Sequence, residues 1–497
     1  MKSFLYLLLL PLFFVFHGYV ENFRSIPLVD CLPLAGIYLL AAAMLFLLFR
    51  LLLRNNNKAG LMAAYLLSIY LFFGAFHDFT RKHNIFLHKY NICLPLFLIG
   101  GICLFIWLKK KSSFQGITLF LNYLLLIYLL VDLATLLWNT GKKENGRKVT
   151  DALAVNLFRQ CEACAKPDIY LLLFDEYSGN KTLKEVYHYD NSSMDSFLLR
   201  EDFNIQRNSR SNYFFTPFSM ASILNMDYLN VRDPQHVTGE DYLEVMDPQR
   251  QAGVLTMLEE QGYTVVNNST FDLPGNPALA DQPFIPVRTR LITNRTMFHY
   301  LMRDIGWWFA AHISDAQALL EDKAVTTYNG NQLAIQRTLE ESRKSAAGPR
   351  FVYMHVFMPH GPFLFDSLQQ KKKPEDVARE PEELDLSGYL GYLPYTNARA
   401  MELITTIKKN TKGKAVILFL SDHGYRHRPF FGHNEKVFFN NQNAVYFPDR
   451  DYHLMYDSIS TVNEFRVVFN TLFRQEIPLL KDSLIYLRDV DSTDNKK

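Results

Sequence analysis

Apolar positions are spread unevenly along the 497-residue chain, and their spacing separates two kinds of structure. Five apolar segments crowd the first third, at 4–16, 32–53, 60–76, 92–108 and 117–138. A helix needs about 20 residues to cross the hydrocarbon core, so this pattern predicts an anchor of about five transmembrane helices over 1–140, the shorter spans borrowing flanking Tyr, His and Trp. A signal peptide is the alternative for the first segment, because Lys2 precedes it; no small-residue cleavage site follows, and four more spans continue the pattern. A polar linker is expected over 141–166. Beyond it, short apolar runs at 167–174, 263–266, 351–357 and 415–420 read as strands, and 193–200, 253–262, 326–344 and 397–410 read as helices. Such alternation predicts an α/β domain over 167–490, with a central, mostly parallel sheet covered by helices on both faces.

Charge adds orientation. Arg50, Arg54 and Lys58 lie between the second and third spans, and Lys109, Lys110 and Lys111 between the fourth and fifth, which places those loops and the N-terminus in the cytoplasm. With five spans the α/β domain is then extracytoplasmic, periplasmic in a cell with two membranes. The loop holding Arg81, Lys82 and Lys89 runs against this bias, and its His77, His83 and His88 read as interfacial residues or as headgroup contacts. The 52 Lys plus Arg against 50 Asp plus Glu give no basic excess, so nucleic-acid binding is not expected. Cys161 and Cys164 form a lone C-x-x-C, which outside the cytoplasm is a local disulfide or a pair of free thiols. Between 225 and 323 no motif is readable; His299, Trp307 and Trp308 fall on a stretch read as amphipathic and are expected to pack in a core.

Candidate chemistry collects where apolar runs stop. The run 415–420 breaks into Ser421-Asp-His-Gly424, and the run 167–174 ends in Asp175-Glu176-Tyr177. Alone, Asp-His-Gly is an ordinary turn tripeptide. In an open α/β sheet, however, ligands gather outside the carboxyl ends of the strands, so Asp175, the 355–360 segment, Asp422 and His423 are expected to converge. Two carboxylates and an imidazole suit a divalent cation such as zinc, manganese or magnesium. In 211–222, Pro217 marks a first helical turn and makes Thr216 the expected N-cap; its bland role is capping, and its sharper one is a nucleophile whose hydroxyl a dication activates.

Together, 167–175, 212–222, His360-Gly-Pro-Phe363 and Ser421-Asp-His-Gly424 resemble the sulfatase branch of the alkaline phosphatase superfamily. Within it, the layout of five spans and an external domain looks like lipoteichoic acid synthase and the lipid A phosphoethanolamine transferases. The resemblance implies an alkaline-phosphatase-like fold, one divalent metal held by Asp175, Thr216, Asp422 and His423, and a covalent phospho-threonine at Thr216. It makes His360 a substrate-binding histidine and general acid on the leaving group. His433 falls where some relatives bind phosphate or a second zinc, and Arg426 is a further candidate contact for an anionic substrate. Where sulfatases mature a cysteine or serine in C/S-x-P-x-R to formylglycine, this chain has Thr216-Pro-Phe-Ser-Met, with neither the cysteine nor the arginine. Asp175 stands where the transferases usually have glutamate.

The expectation is therefore a membrane-anchored, metal-dependent phosphotransferase or phosphodiesterase. Its donor would be a phospholipid, and its acceptor an envelope glycan or lipid. The alternatives are a sulfatase-like hydrolase of phosphate or sulfate esters, and a non-catalytic domain that binds anions or glycans at the envelope.

Overall fold

The computed structural model describes residues 4–23, 26, 28–83, 85–111, 114–141, 157–246, 253–278, 289–301, 314–377 and 385–488. Residues 142–156 of the expected linker, and Trp307 and Trp308, lie outside them. The chain divides into two compact units, 1–146 with 281–316, and 147–280 with 317–497.

In the first unit, the five apolar segments form helices α1 (Tyr6–Glu21), α2 (Leu28–Leu53), α3 (Asn56–Lys82), α4 (Tyr90–Lys110) and α5 (Gln115–Gly141). Four of them, α2 to α5, are long and apolar enough to cross a membrane. Helix α1, with 16 residues, rises about 24 Å, short of the roughly 30 Å hydrocarbon core. It packs against its neighbours through Tyr6, Leu10, Phe14 and Val15, all buried. A carboxylate is buried among the apolar helices: Asp132 of α5, with Oδ1 3.0 Å from His17 Nδ1 of α1, which gives it a partner where an unpaired charge is costly.

The segment 289–301 belongs to this unit although it interrupts the second in sequence. Gly74 admits it: a Cβ there would lie 2.6 Å from the Arg295 carbonyl oxygen, which instead accepts a hydrogen bond from Gly74 N at 2.9 Å. His77 is buried, its ring 5.3 Å from Tyr90 and 5.2 Å from Tyr300. It is thus part of an aromatic core.

The second unit is built on a six-stranded sheet of order β2-β6-β5-β1-β4-β3. Strands β1 (Ile169–Phe174), β3 (Thr264–Asn268), β4 (Arg350–Val356) and β5 (Val416–Leu420) run parallel. The edge pair β6 (Asn443–Tyr446) and β2 (Asn204–Ile205) completes the sheet in antiparallel sense. Apolar residues alternate across β1 because both faces are covered. Tyr170, Leu172 and Phe174 join one core with the helix Leu386–Asn410; Ile169, Leu171 and Leu173 join the other with the helices Gly253–Glu260 and Glu464–Phe473. Cys161 and Cys164 are disulfide-bonded, in keeping with an oxidising compartment.

Candidate active site

Strand register assembles the site. β1 lies between β4 and β5, with Leu173 opposite both His355 and Leu420, so the residues leaving the carboxyl ends of all three strands meet at one edge. Asp175 leaves β1 with its N–H bonded to the Val356 carbonyl at 3.0 Å. Asp422 and His423 leave β5. Ligand atoms of Asp175, Asp422 and His423 all lie within 4.8 Å of one another, and all three residues are buried.

Gly424 is required here by a close approach and not by a left-handed bend. Its φ is not positive, and a Cβ on it would lie 2.6 Å from the Asn440 carbonyl oxygen.

The helix carrying Thr216, here α6 (Thr216–Asn225), starts one residue earlier than expected. Phe215 is the N-cap, in extended conformation, and Thr216 is the first helical residue. Its hydroxyl is therefore not spent on a cap: Oγ1 lies 3.1 Å from His423 Nε2. His423 Nδ1 donates to the Gly424 carbonyl at 2.9 Å, so in the neutral ring the Nε2 lone pair faces Thr216. Ser219, one turn along α6, donates to the Asp422 carbonyl at 2.6 Å and ties the threonine's helix to the β5 turn.

The carboxylates are arranged to receive something. Asp422 Oδ1 accepts from Glu176 N at 3.1 Å and from His423 N at 2.9 Å, which leaves Oδ2 without a hydrogen bond, 3.2 Å from His423 Nε2. Asp175 Oδ1 is likewise buried without a hydrogen bond, and its Oδ2 lies 3.6 Å from His355 Nε2. Burial raises the Asp422 pKa and the neighbouring Asp175 charge raises it further. Burial works in the same direction on Asp175, but the imidazoles of His360, His355 and His423 outweigh it and hold that carboxyl below its ordinary range. Two orphaned carboxylate oxygens beside an imidazole nitrogen and a threonine hydroxyl make a donor set that fits a divalent metal ion.

Three further residues border this cluster, two of them not expected as functional. Glu176 is buried in a left-handed conformation, φ 62°, a strain of order 1–3 kcal/mol for a residue with a side chain. Its Oε1 accepts from Arg426 Nε at 2.8 Å, and Oε2 lies 3.9 Å from His360 Nε2. The guanidinium of Arg426 is also 5.5 Å from the centre of the ring of Phe215, the residue before Thr216. His355 is held by Tyr353, whose hydroxyl lies 2.9 Å from Nδ1, and it stands under Asp175. The pair Asp175-Glu176 is a legible signal for Glu176; nothing local distinguishes His355 from a core histidine.

His360 donates from Nδ1 to the Gly361 carbonyl at 2.7 Å, with Nε2 towards Glu176. Burial disfavours its charged form, but Glu176 and Asp175 outweigh burial and push its pKa up to about 9. His433 is exposed and lines a recess with Glu435, Tyr486 and Arg488; among the described residues no hydrogen bond or ion pair joins it to the cluster.

Behind the β5 turn lies a buried polar ladder. Glu464 Oε2 accepts from Asn443 Nδ2 at 2.8 Å, Asn443 Nδ2 also reaches Ser209 Oγ at 3.1 Å, Ser209 Oγ donates to Asn441 Oδ1 at 2.9 Å, and Asn441 Nδ2 donates to the Ser421 carbonyl at 2.6 Å. Burial raises the Glu464 pKa from 4.5 to about 7, although the Asn443 bond opposes it. The folded state then holds one more proton than the unfolded chain between those values, so stability falls as pH rises from about 4.5 through 7, by about 3 kcal/mol in total, and levels off above. Glu464→Gln is expected to flatten this slope and to leave the protein more stable than wild type at pH 8; thermal unfolding of the full chain in detergent between pH 5 and 8 checks it.

The sulfatase family model matches residues 205–465, more than half of the chain, and the protein belongs to that family. Thr216, His360, Asp422, His423, Arg426 and His433 fall inside the match, and Asp175 precedes it. No curated protein matches the sequence. Among solved structures, lipooligosaccharide phosphoethanolamine transferase A from Neisseria meningitidis is similar at 10% identity and a TM-score of 0.38, covering 94% of this chain and 95% of that one. The C-terminal periplasmic domain of EptC from Escherichia coli is similar at 12% identity and a TM-score of 0.36, covering 65% of this chain and 90% of that one.

Proposed function

We propose that the protein is a membrane-anchored, metal-dependent phosphotransferase that takes a phosphorylated headgroup from a phospholipid through Thr216 and passes it to an envelope glycan or lipid. The observation that carries this reading is the Thr216 hydroxyl, free of its capping duty, 3.1 Å from His423 Nε2 and beside the orphaned carboxylate oxygens of Asp175 and Asp422. Asp175, Asp422, His423 and Thr216 would hold one divalent ion, zinc, manganese or magnesium. Such an ion, when bound, lowers the pKa of a ligated hydroxyl and offsets charge on a phosphoryl group.

The chain's own residues supply the rest. Thr216 Oγ1 gives up its proton to solvent and bonds to phosphorus, the bond from phosphorus to the diacylglycerol oxygen breaks, and His360 Nε2 gives its proton to that oxygen. The elevated His360 pKa keeps the proton in place at neutral pH. Arg426, held by Glu176, neutralises a phosphoryl oxygen, and the positive end of α6 faces the same charge. An acceptor hydroxyl then gives its proton to His360 Nε2 and bonds to phosphorus, and the bond from phosphorus to Thr216 Oγ1 breaks, Oγ1 regaining a proton from solvent. Anchoring in the inner membrane, with the catalytic unit on the periplasmic side, raises the effective concentration of lipid donor at the site.

Diacylglycerol release from phosphatidylethanolamine or phosphatidylglycerol vesicles, measured with and without an acceptor glycan, tests this function. Release that needs the acceptor is the expected result, acceptor-independent release indicates a hydrolase, and no release from either lipid overturns the reading. His360→Gln is expected to lower kcat by about 10²- to 10⁴-fold, the usual worth of a positioned general acid. It should also remove the alkaline limb expected of wild type near pH 9, where His360 loses its proton.

A further inference from the structure

Away from the Thr216 cluster, the second unit carries a recess of about 180 Å³ walled by the helix Asn180–Glu185, by Asn208 and Arg210, and by residues 436–440. Three cations line it, Lys181, Arg210 and Lys436, against one carboxylate, Glu185. All three are exposed, and among the described residues none makes an ion pair; Lys181 Nζ reaches only the Asn208 amide oxygen, at 3.1 Å. The floor is rigid. Asn440 accepts from Thr182 N at 3.1 Å and donates to the Ser209 carbonyl at 3.0 Å, and Gly179 makes room for it, since a Cβ there would lie 2.6 Å from Asn440 Oδ1. Two adjoining recesses of about 250 Å³ each extend the surface. One shares Arg210 and adds the hydroxyls of Ser458 and Ser483 with the Asp482 carboxylate, which Ser460 holds; the other shares Lys436 and adds the Tyr486 ring with Glu435, which is paired with Arg488.

Unneutralised cations around a volume of this size select an anion, and flanking hydroxyls with an aromatic ring select a hydroxyl-rich body to carry it. We propose that this recess binds a phosphate-bearing saccharide, held by Lys181, Arg210 and Lys436. Its walls continue into the loops that hold the site: the Asn440 carbonyl accepts from Gly179 N at 3.0 Å, and Gly424 N donates to the Phe438 carbonyl at 2.7 Å. An extended glycan held here would have another part of itself available to Thr216. That use as an acceptor subsite rests on the phosphotransfer reading, whereas binding does not.

Calorimetry on the full-length Thr216→Ala protein in detergent tests it, with trehalose 6-phosphate, trehalose and inorganic phosphate as probes. Trehalose 6-phosphate is expected to bind more tightly than either fragment and to weaken with added salt, and the Arg210→Glu/Lys436→Glu variant to bind it about tenfold or more weakly. Equal binding by the variant, equal binding of unphosphorylated trehalose, or inorganic phosphate binding as tightly as the sugar phosphate would each overturn the proposal. Arg210→Gln/Lys436→Gln replaces the charge reversal if thermal unfolding shows the latter to be misfolded. Because binding is read without turnover, a recess that binds nothing leaves the function of Thr216 open, and a threonine that is never labelled leaves this result standing.

Discussion

Incubated with phospholipid vesicles and its metal, the full-length protein will gain a phosphorylated headgroup on the peptide containing Thr216, and Thr216→Ala will not. Turnover of the variant should fall by about 10⁴-fold or more, the scale on which loss of a nucleophile acts when the rest of its constellation remains. Thr216→Ser, which keeps the hydroxyl at the first position of α6, should still form the adduct. The adduct's mass names the headgroup and so distinguishes ethanolamine from glycerol donors. Wild-type turnover by Thr216→Ala would remove the threonine from the mechanism, and intact-mass spectrometry with peptide mapping reads both outcomes.

Asp422→Asn is expected to separate metal binding from folding. In wild type, two buried carboxylates, Asp175 and Asp422, face each other with one oxygen apiece lacking a hydrogen bond. A divalent ion offsets that repulsion, so removing bound metal from wild type with a chelator should destabilise it. The introduced amide has the shape of the carboxylate without its charge. It can keep accepting from Glu176 N and His423 N while its NH₂ faces the ring of His423. The variant should therefore hold about a tenth or less of the wild-type metal, since a side chain bonded directly to the ion matters at least as much as the groups that orient it. The metal-free variant should melt about 2 °C or more above metal-free wild type, since the like-charge cost is gone. Elemental analysis and thermal unfolding with and without chelator give the two readouts. A variant that binds metal normally would show that Asp422 is not a ligand.

Much of this site is legible in the sequence because its members stand beside local signals. Asp175 and Asp422 close apolar runs of strand length, and Thr216 precedes a proline that opens a helix. Parallel strands buried on both faces are continuous apolar runs, so β1, β4 and β5 stand out. The antiparallel pair β2 and β6 does not: β6 is four residues that open on Asn443, directly after Asn440-Asn-Gln442, and polar residues so close together read as a loop until the buried ladder to Glu464 and Ser421 accounts for them. His355 alternates with apolar neighbours in β4 and carries no mark of its place under Asp175. Arg426 is marked by charge, but its hold on Glu176 depends on a left-handed residue that no local pattern announces.

By itself, the sequence determined the apolar helices, the alternation of strands and helices, and the residue types available for phosphoryl chemistry, because these are written in periods of a few residues and in single reactive groups. Tertiary structure decided which of those groups meet. It put β1 between β4 and β5, released the Thr216 hydroxyl from capping, and drew residues 289–301 into the helical unit. Each of these depends on which distant segments become neighbours, and that is settled by the packing of two cores against one sheet and of one segment among the apolar helices, over sequence separations that no local pattern spans.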